Sequence, residues 1–109
     1  MNNYTRYILK DLIENKLLVA GCGGYIGTEL VNQLELNNIE YVGIDKTQNK
    51  NCLCINLCDK GKVEDLISSL EPDYLFHMGT HSALAYKNDF LESFNEDMDA
   101  LYNIFSCIR

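Results

Sequence analysis

The amino-acid sequence predicts an α/β protein with a parallel sheet that carries helices on both faces. Two observations support this fold class. Short apolar runs alternate along the chain with longer segments whose apolar residues recur at helical spacing. The first apolar run leads directly into four of the seven glycines, between Gly21 and Gly27. Alternating strands and helices favour parallel pairing, because each helix carries the chain back across the sheet.

Each predicted element follows from its own residue pattern. Strands are predicted at 16–20, 40–45, 52–57 and 74–78. Helices are predicted at 4–15, 26–37, 60–71 and about 89–108. The second helix places Ile26, Leu30, Val31 and Leu34 on one face, and the third turns Val63, Leu66, Ile67 and Leu70 inward. The apolar residues of the last helix are Phe90, Phe94, Met98, Leu101, Ile104, Phe105 and Ile108. The division is a leader helix at 1–15 and one domain at 16–109.

Composition and charge indicate which classes of binding partner the sequence disfavours, because both argue against nucleic acids and membranes. The 109 residues are 47% hydrophobic and carry a net charge of −7, with a single proline. An acidic chain lacks the basic surface from which nucleic-acid binding and anionic membrane binding draw their affinity. It also has no apolar run of the length that a membrane span requires. We therefore expect neither a nucleic-acid nor a membrane partner.

The five cysteines, at positions 22, 52, 54, 58 and 107, indicate a reducing compartment. Their number is odd, and the charged first residues do not form a secretory signal. The spacing Cys52-x-Cys54-x-x-x-Cys58 matches no common zinc motif, and we predict no metal site. These cysteines are interpreted as small apolar residues on a buried strand and its exit, and the location as cytoplasmic.

The glycine cluster has the spacing Gly21-x-x-Gly24-x-x-Gly27 and lies between a predicted strand and a predicted helix. A helix N-terminus offers unpaired N–H groups, and bare backbone lets phosphate oxygens approach them. Asp45 follows Gly27 by 18 residues, at the end of the second strand. An acid at about this distance can bind an adenosine ribose. Together the two features predict a dinucleotide site; the alternative is a glycine-rich turn without a ligand.

The stretch GCGGYIG resembles the opening of the NAD-dependent epimerase/dehydratase family, the extended short-chain dehydrogenase/reductases that include UDP-glucose 4-epimerase. The resemblance continues through PDYLFHMGT at 72–80, which looks like a family strand, and through DALYNIFSCIR at 99–109, which looks like a family helix. It implies a Rossmann-type sheet with strand order 3-2-1-4, incomplete relative to the family. Other nucleotide-binding classes, such as potassium-channel regulatory domains and methyltransferases, prefer glycine spacings that Tyr25 and Ile26 interrupt.

The resemblance implies how the glycine turn would hold a cofactor. Gly21, Gly24 and Gly27 would line the pyrophosphate of NAD. Tyr25 and Ile26 would contribute backbone N–H groups.

It also implies the residues for the adenosine half. Asp45 would accept hydrogen bonds from both ribose hydroxyls, which favours NAD because a carboxylate repels the 2′-phosphate of NADP. Lys46 weakens this preference slightly. Leu57 would pack on the adenine, and Asn56, where the family usually has aspartate, could bond the adenine amino group.

The resemblance also implies cofactor-binding residues at the end of the fourth strand and in the segment after it. Met78, Gly79 and Thr80 would pass beneath the nicotinamide-side ribose, with Gly79 where alanine is usual. His77 is interpreted as structural, as in the family. His81 is freer, and nothing in the sequence pairs it with a nucleophile.

Acidic residues on the last predicted helix are a further candidate functional group, but they indicate a function less specifically than the glycine turn and Asp45 do. Glu92 and Glu96 share a face at four-residue spacing, which either supports acid–base chemistry or simply faces solvent. We favour the solvated face. Asp97 stands where the family has asparagine. This difference puts in doubt the contact that the family's asparagine would make at this position.

The family's reaction requires a Tyr-x-x-x-Lys pair, in which lysine lowers the pKa of the tyrosine base. None of the seven tyrosines here is followed by lysine at that spacing, so no catalytic residue is assigned. We expect the cofactor-binding portion of a nucleotide-sugar epimerase, dehydratase or reductase, inactive by itself. The alternative is a small nucleotide-binding module completed by a partner, or by self-association as a homodimer through the helix at 90–108.

Overall fold

A computed structural model describes residues 2–47 and 52–108. The helices are α1 (Asn3–Glu14), α2 (Tyr25–Leu36), α3 (Lys60–Leu70), α4 (Ala83–Asn88) and α5 (Phe90–Cys107). The strands are β1 (Leu17–Ala20), β2 (Val42–Asp45), β3 (Leu53–Cys54) and β4 (Tyr74–His77). Within these residues, no helix is both long and apolar enough to cross a membrane.

The four strands form one parallel sheet in the order β3-β2-β1-β4, which confirms the predicted fold class and strand order. β1 lies in the centre, with Val19 beside Gly43 of β2 and Phe76 of β4. All four residues of β1 are buried, because helices cover both faces of a central parallel strand. The apolar run that predicted this strand is the direct consequence of that burial.

The side chains of β1 alternate between two hydrophobic cores, one on each face of the sheet. On one face Leu18 and Ala20 pack with residues of α3 and α5, including Val63 and Ile104. On the other face Leu17 and Val19 pack with Val31, Leu34, Ile39 and the two buried cysteines Cys22 and Cys52. Leu9 and Leu12 of α1 cover part of this second core, so the leader helix packs on the sheet.

Apart from α5, two predicted elements differ from the observed ones, and one observed helix was not predicted. β3 is only two residues long, and both of them are exposed, so the prediction of a buried strand over 52–57 is wrong in extent and in burial. Ile26 is 65% exposed rather than on the core face of α2. The unpredicted helix is α4, six residues long, whose start is capped by the Ser82 hydroxyl, which accepts from the Ala85 N–H.

The helix α5 shows the largest difference. Its buried residues are Ser93, Asp97, Ala100, Asn103 and Ile104. The apolar residues that predicted the helix lie mostly outside the core, with exposed fractions of 42–64% for Phe90, Phe94, Met98 and Phe105. The inward face of α5 is therefore largely polar, and its polar atoms bond to the loops at the carboxyl ends of the strands.

Candidate dinucleotide site

The turn after β1 is a set of close backbone contacts. Gly21 has a φ of +84°, a conformation that side chains rarely adopt. Its N–H donates to the Ile44 carbonyl oxygen at 2.8 Å, which ties the turn to β2. A side chain at Gly21 would also come within 2.5 Å of the Met78 backbone. Glycine is therefore required here twice, for its conformation and for the closeness of the chain after β4.

The start of α2 is equally constrained. A side chain at Gly27 would overlap the Gly21 carbonyl oxygen and lie 3.0 Å from the Cys22 Cα. Gly24 is the N-cap residue and, being glycine, offers no side chain to cover the first-turn N–H groups. Those N–H groups and the positive end of the helix dipole form a potential anion-binding position.

Asp45 meets this turn from the end of β2. Its carboxylate accepts hydrogen bonds from the Gly23 N–H at 3.1 Å, and from the Thr47 N–H and hydroxyl at 3.0 and 2.8 Å. Burial acts to raise the pKa of Asp45. The bonds from Thr47 and Gly23, with the charge of Lys46, outweigh burial and lower that pKa. A negative charge is thus fixed beside the glycine turn.

A cleft of about 280 Å³ opens at the carboxyl ends of the strands and collects most of the predicted site. The predicted residues that line it are Gly21, Gly24, Asp45, Lys46, Asn56, Leu57, Met78, Gly79 and Thr80. Tyr25 and Ile26 lie outside it on the other side of the turn, where a shallow depression includes both. Gly27 lies beneath the turn and is buried. A role for Tyr25 and Ile26 could therefore involve only their backbone.

Two contacts shape the part of the cleft near Leu57. The buried amide of Asn103 donates to the Leu57 carbonyl oxygen at 2.9 Å, across 46 residues of sequence. A side chain at Gly79 would lie 2.8 Å from the Leu57 Cδ1 atom. Glycine at this position, where alanine is usual in the family, therefore leaves room for Leu57. The Asn56 side-chain oxygen accepts the Cys58 N–H at 2.9 Å and so already has one partner.

The cleft also contains residues that the sequence analysis did not assign to it, chiefly His81, Glu96 and Asp97. The His81 Nδ1 atom lies 2.7 Å from Asp97 Oδ1, and its Nε2 atom lies 3.2 Å from Glu96 Oε2. His81, interpreted as the freer of the two histidines, thus has a carboxylate at each ring nitrogen, and Glu96 contacts it while keeping 39% of its side chain exposed. The four-residue spacing of Glu92 and Glu96 was visible, but nothing in the sequence linked Glu96 to His81.

The buried carboxylate of Asp97 joins α5 to the segment after β4. It accepts hydrogen bonds from the His81 N–H at 3.0 Å and from the Tyr86 hydroxyl at 2.5 Å. Burial acts to raise the pKa of Asp97, but the bonds from Tyr86 and His81 lower it overall. The bond to Asp97 in turn raises the pKa of Tyr86. Asp97, which stands where the family has asparagine, therefore has hydrogen-bond donors that suit a carboxylate.

His77 and the cysteines stand apart from these contacts. The His77 Nδ1 atom is buried and has no hydrogen-bond partner among residues 2–47 and 52–108. Burial lowers the pKa of the ring despite the charge of Asp97. The structure joins Cys22 and Cys52 in a disulfide with Cα atoms 6.4 Å apart, a pair that the sequence analysis did not predict. Cys54 is exposed, so its interpretation as a buried strand residue is wrong. Among the described residues, no group of His, Cys, Asp or Glu is arranged to hold a metal ion.

Known proteins share both the sequence pattern and the fold. A probable dTDP-glucose 4,6-dehydratase of Sinorhizobium fredii is 27% identical over an 82-residue alignment that covers 62% of this chain and 23% of that protein. UDP-glucose 4-epimerase of Thermotoga maritima, solved with UDP-glucose, superposes with a TM-score of 0.75 at 20% identity, over 84% of this chain and 33% of that one. The Thermus thermophilus epimerase, solved with NAD, gives a TM-score of 0.73 at 20% identity, with the same coverage.

The chain thus spans about a quarter to a third of the proteins that it resembles. Residues 17–109 match the sequence model of the NAD dependent epimerase/dehydratase family. This match begins at β1 and includes the glycine turn, Asp45 and α5, the elements that form the cleft. The chain belongs to the NAD dependent epimerase/dehydratase family.

Proposed function

We propose that this chain binds NAD in the cleft at the carboxyl ends of the strands and holds chiefly the adenosine diphosphate half of it. One observation carries the proposal: the Gly23 N–H lies 3.1 Å from the Asp45 carboxylate. The anion-binding turn and the ribose-binding acid are therefore neighbours in one cleft. The NAD complex of the Thermus epimerase, which shares this fold, supports the choice of ligand.

The residues present fit this cofactor. The overlaps that side chains would cause at Gly21 and Gly27 indicate a turn built for close backbone approach. In the bound state the first-turn N–H groups of α2 would face the pyrophosphate, and Asp45 would accept from ribose hydroxyls. NAD supplies hydride acceptance and donation, and the protein's contribution is to hold and orient it.

The charge beside the ribose position favours NAD over NADP. The lowered pKa of Asp45 keeps its carboxylate ionised near neutral pH, where it would repel a 2′-phosphate. Lys46 follows directly and also lines the cleft, so it offsets part of this repulsion. We therefore expect a preference for NAD that is moderate in size.

We further propose that the chain serves an enzyme acting on a nucleotide sugar. The relatives named for dTDP-glucose and UDP-glucose support this substrate class. No tyrosine of the 109 residues has lysine four positions later, so the chain alone is expected to lack the acid–base pair for the reaction. Its proposed role is the cofactor-binding portion, with residues 16–109 as that domain and 1–15 as a leader helix.

Replacing Asp45 tests the proposed site. Asp45→Ala should raise the Kd for NAD by roughly 10- to 100-fold, because a hydrogen bond to a charged group contributes about 1.5–3 kcal/mol. The Kd for NADP should rise less, since the same change removes a repulsive charge. Isothermal titration calorimetry with both dinucleotides measures the two effects. Asp65→Ala is the matched control, because Asp65 is exposed on α3, outside the residues that line the cleft.

An unchanged ratio of NAD to NADP affinity in Asp45→Ala would remove Asp45 from the site. Failure of the unaltered chain to bind either dinucleotide would contradict the proposed function as a whole. Turnover of UDP-glucose or dTDP-glucose by the 109 residues alone would contradict the assignment as a cofactor-binding portion only.

We also propose that two copies of the chain associate through α5. Its outer face carries large apolar residues at three- and four-residue spacing, namely Leu91, Phe94, Met98, Tyr102 and Phe105, each at least 42% exposed. A helix with one such stripe can bury it against its own symmetry-related copy. Phe105→Glu should convert a dimer to a monomer in light scattering, whereas Leu36→Glu, at an exposed end of α2, should not. Equal masses for all three proteins at every concentration would contradict self-association.

A further inference from the structure

Cys22 and Cys52 connect two segments beside the candidate site that lie far apart in the sequence. Cys22 follows Gly21 directly in the glycine turn, and Cys52, 30 residues later, directly precedes β3. Their Cα atoms lie 6.4 Å apart, a separation that disulfide geometry allows, and the structure joins the two side chains. Both are buried in the core on one face of the sheet. The other three cysteines, all within the described residues, are free thiols.

The disulfide closes a ring of contacts around Asp45. On one side of this ring, Cys22 is followed by Gly23, whose N–H donates to the Asp45 carboxylate at 3.1 Å. On the other side, Asp45 pairs with Cys54 in the parallel ladder of β2 and β3, two residues after Cys52. The disulfide joins the remaining ends of these two connections. It therefore holds the glycine turn in a fixed position relative to the acid proposed to bind ribose.

The strand beside Cys52 is held to the sheet over a short length. β3 has two residues, lies at the edge of the sheet and exposes both side chains. In the described ladder it pairs with β2 at two positions, Ile44 with Leu53 and Asp45 with Cys54. Because short edge segments open locally at low free energy, a covalent bond beside β3 limits an opening that two ladder pairs alone would permit.

The cysteine pair can be oxidised by exchange with a low-molecular-weight disulfide. Cys52 is the more accessible partner, because it is 8% exposed and lines a surface depression beside β2, whereas Cys22 is 3% exposed. The Cys52 thiolate would attack the small disulfide, form a mixed disulfide and release one small thiol. The Cys22 thiolate would then attack the Cys52 sulfur and release the second. The chain loses two electrons and two protons, which the small disulfide takes up as it becomes two thiols.

We propose that the Cys22–Cys52 pair is a redox switch of the dinucleotide site, whose disulfide form binds NAD more tightly than its dithiol form. This inference rests on the proposed function and concerns regulation of that same site. The disulfide fixes the turn and Asp45 before the ligand arrives, so the oxidised chain loses less conformational freedom on binding. In the reducing compartment that the cysteine pattern predicts, the bond would form only under oxidising conditions.

Calorimetry with NAD, on the fully oxidised chain and on the chain reduced with a phosphine, tests this coupling. The Kd should be roughly 5- to 20-fold lower for the oxidised chain, within the usual range for coupled sites. Cys52→Ser should show the weaker affinity in both conditions and no response to the reductant. Cys54→Ser is the matched control, because Cys54 is an exposed free thiol two residues away, and it should respond as the unaltered chain does.

A second measurement follows the disulfide itself and requires no substitution. The unaltered chain is equilibrated in mixtures of reduced and oxidised glutathione and alkylated, and peptide mass spectrometry gives the fraction joined through Cys22 and Cys52. Because linkage is reciprocal, saturating NAD should shift this equilibrium toward the disulfide by the same factor that separates the two Kd values.

Three results would overturn the switch while leaving NAD binding intact: equal Kd values in the two redox states, tighter binding by the reduced chain, or a disulfide equilibrium that NAD does not shift. A Cys22–Cys52 peptide that never forms would overturn it as well. Failure of both redox forms to bind NAD would overturn the proposed function and this inference together.

Discussion

Two walls of the same cleft are built in different ways. One wall, the glycine wall, consists of Gly21, Gly23 and Gly24 with Gly27 packed beneath them. Backbone atoms hold it, as in the bonds from the Gly21 N–H to Ile44 and from the Gly24 N–H to Gly21. The second wall, the α5 wall, consists of residues 78–81 with Leu57 and is held by side chains of α5. There Asp97 accepts from His81 and Tyr86, and Asn103 donates to Leu57.

The difference lies in how many sequences can build each wall. A wall made of backbone contacts leaves no space for side chains, so glycine is required where a carbonyl group of another residue occupies the place of a Cβ atom, as at Gly21 and Gly27. A wall made of side-chain hydrogen bonds admits other donor and acceptor pairs of similar size. The glycine wall should therefore fail sharply when a single methyl group is added. The α5 wall should lose only the energy of the bond that is removed.

Gly27→Ala should produce the largest loss of stability. The added methyl group would overlap the Gly21 carbonyl oxygen, and its other near neighbours are also backbone atoms that cannot rotate away. We expect the free energy of unfolding to fall by roughly 4 kcal/mol or more, the range of severe core substitutions. Urea denaturation followed by circular dichroism measures it, and NAD affinity should fall with it.

Gly61→Ala is the matched control for this change. Gly61 lies in α3, and a methyl group there would meet nothing closer than 3.8 Å, the distance to Asp59 Oδ1. Because Gly61 is the second residue of α3 and not in its interior, alanine there should change the free energy of unfolding by no more than about 0.5 kcal/mol, in the stabilising direction. Equal effects of the two substitutions would mean that the turn relaxes around Gly27, and that backbone closeness does not define this wall.

The contrast between elements with apolar or glycine-rich signatures and elements held by polar side chains also explains which parts of the fold could be predicted from the sequence. β1 is buried on both faces, so its apolar run identified it, and the alternation of strands and helices led to the parallel sheet. The inward face of α5 could not be predicted from apolar spacing, because it contains Ser93, Asp97 and Asn103. Its apolar residues marked a helix correctly but pointed to the wrong face for the core.

The residues of the candidate site also fall into two groups, those that the sequence predicts and those that only the tertiary structure brings together. The glycine spacing and Asp45 were predictable because their positions in the chain mark them: the glycines directly follow β1, and Asp45 ends β2, where it accepts the Gly23 N–H. The contact of His81 with Asp97 spans 16 residues and depends on how α4 turns the chain toward α5. The Cys22–Cys52 pair likewise spans 30 residues and depends on both cysteines meeting in the core on one face of the sheet. Such pairs require the tertiary structure, because no local pattern distinguishes them.

Asn103→Ala tests the side-chain wall and should have a smaller effect than Gly27→Ala. It removes the buried amide that donates to the Leu57 carbonyl oxygen at 2.9 Å and leaves that oxygen without this donor. We expect the free energy of unfolding to fall by about 2 kcal/mol, the cost of a buried polar group that loses its partner. Asn95→Ala, on the exposed side of the same helix, should change it by less than about 0.5 kcal/mol. A loss in Asn103→Ala as large as that in Gly27→Ala would show that the α5 wall is as intolerant as the glycine wall, and the distinction between them would fail.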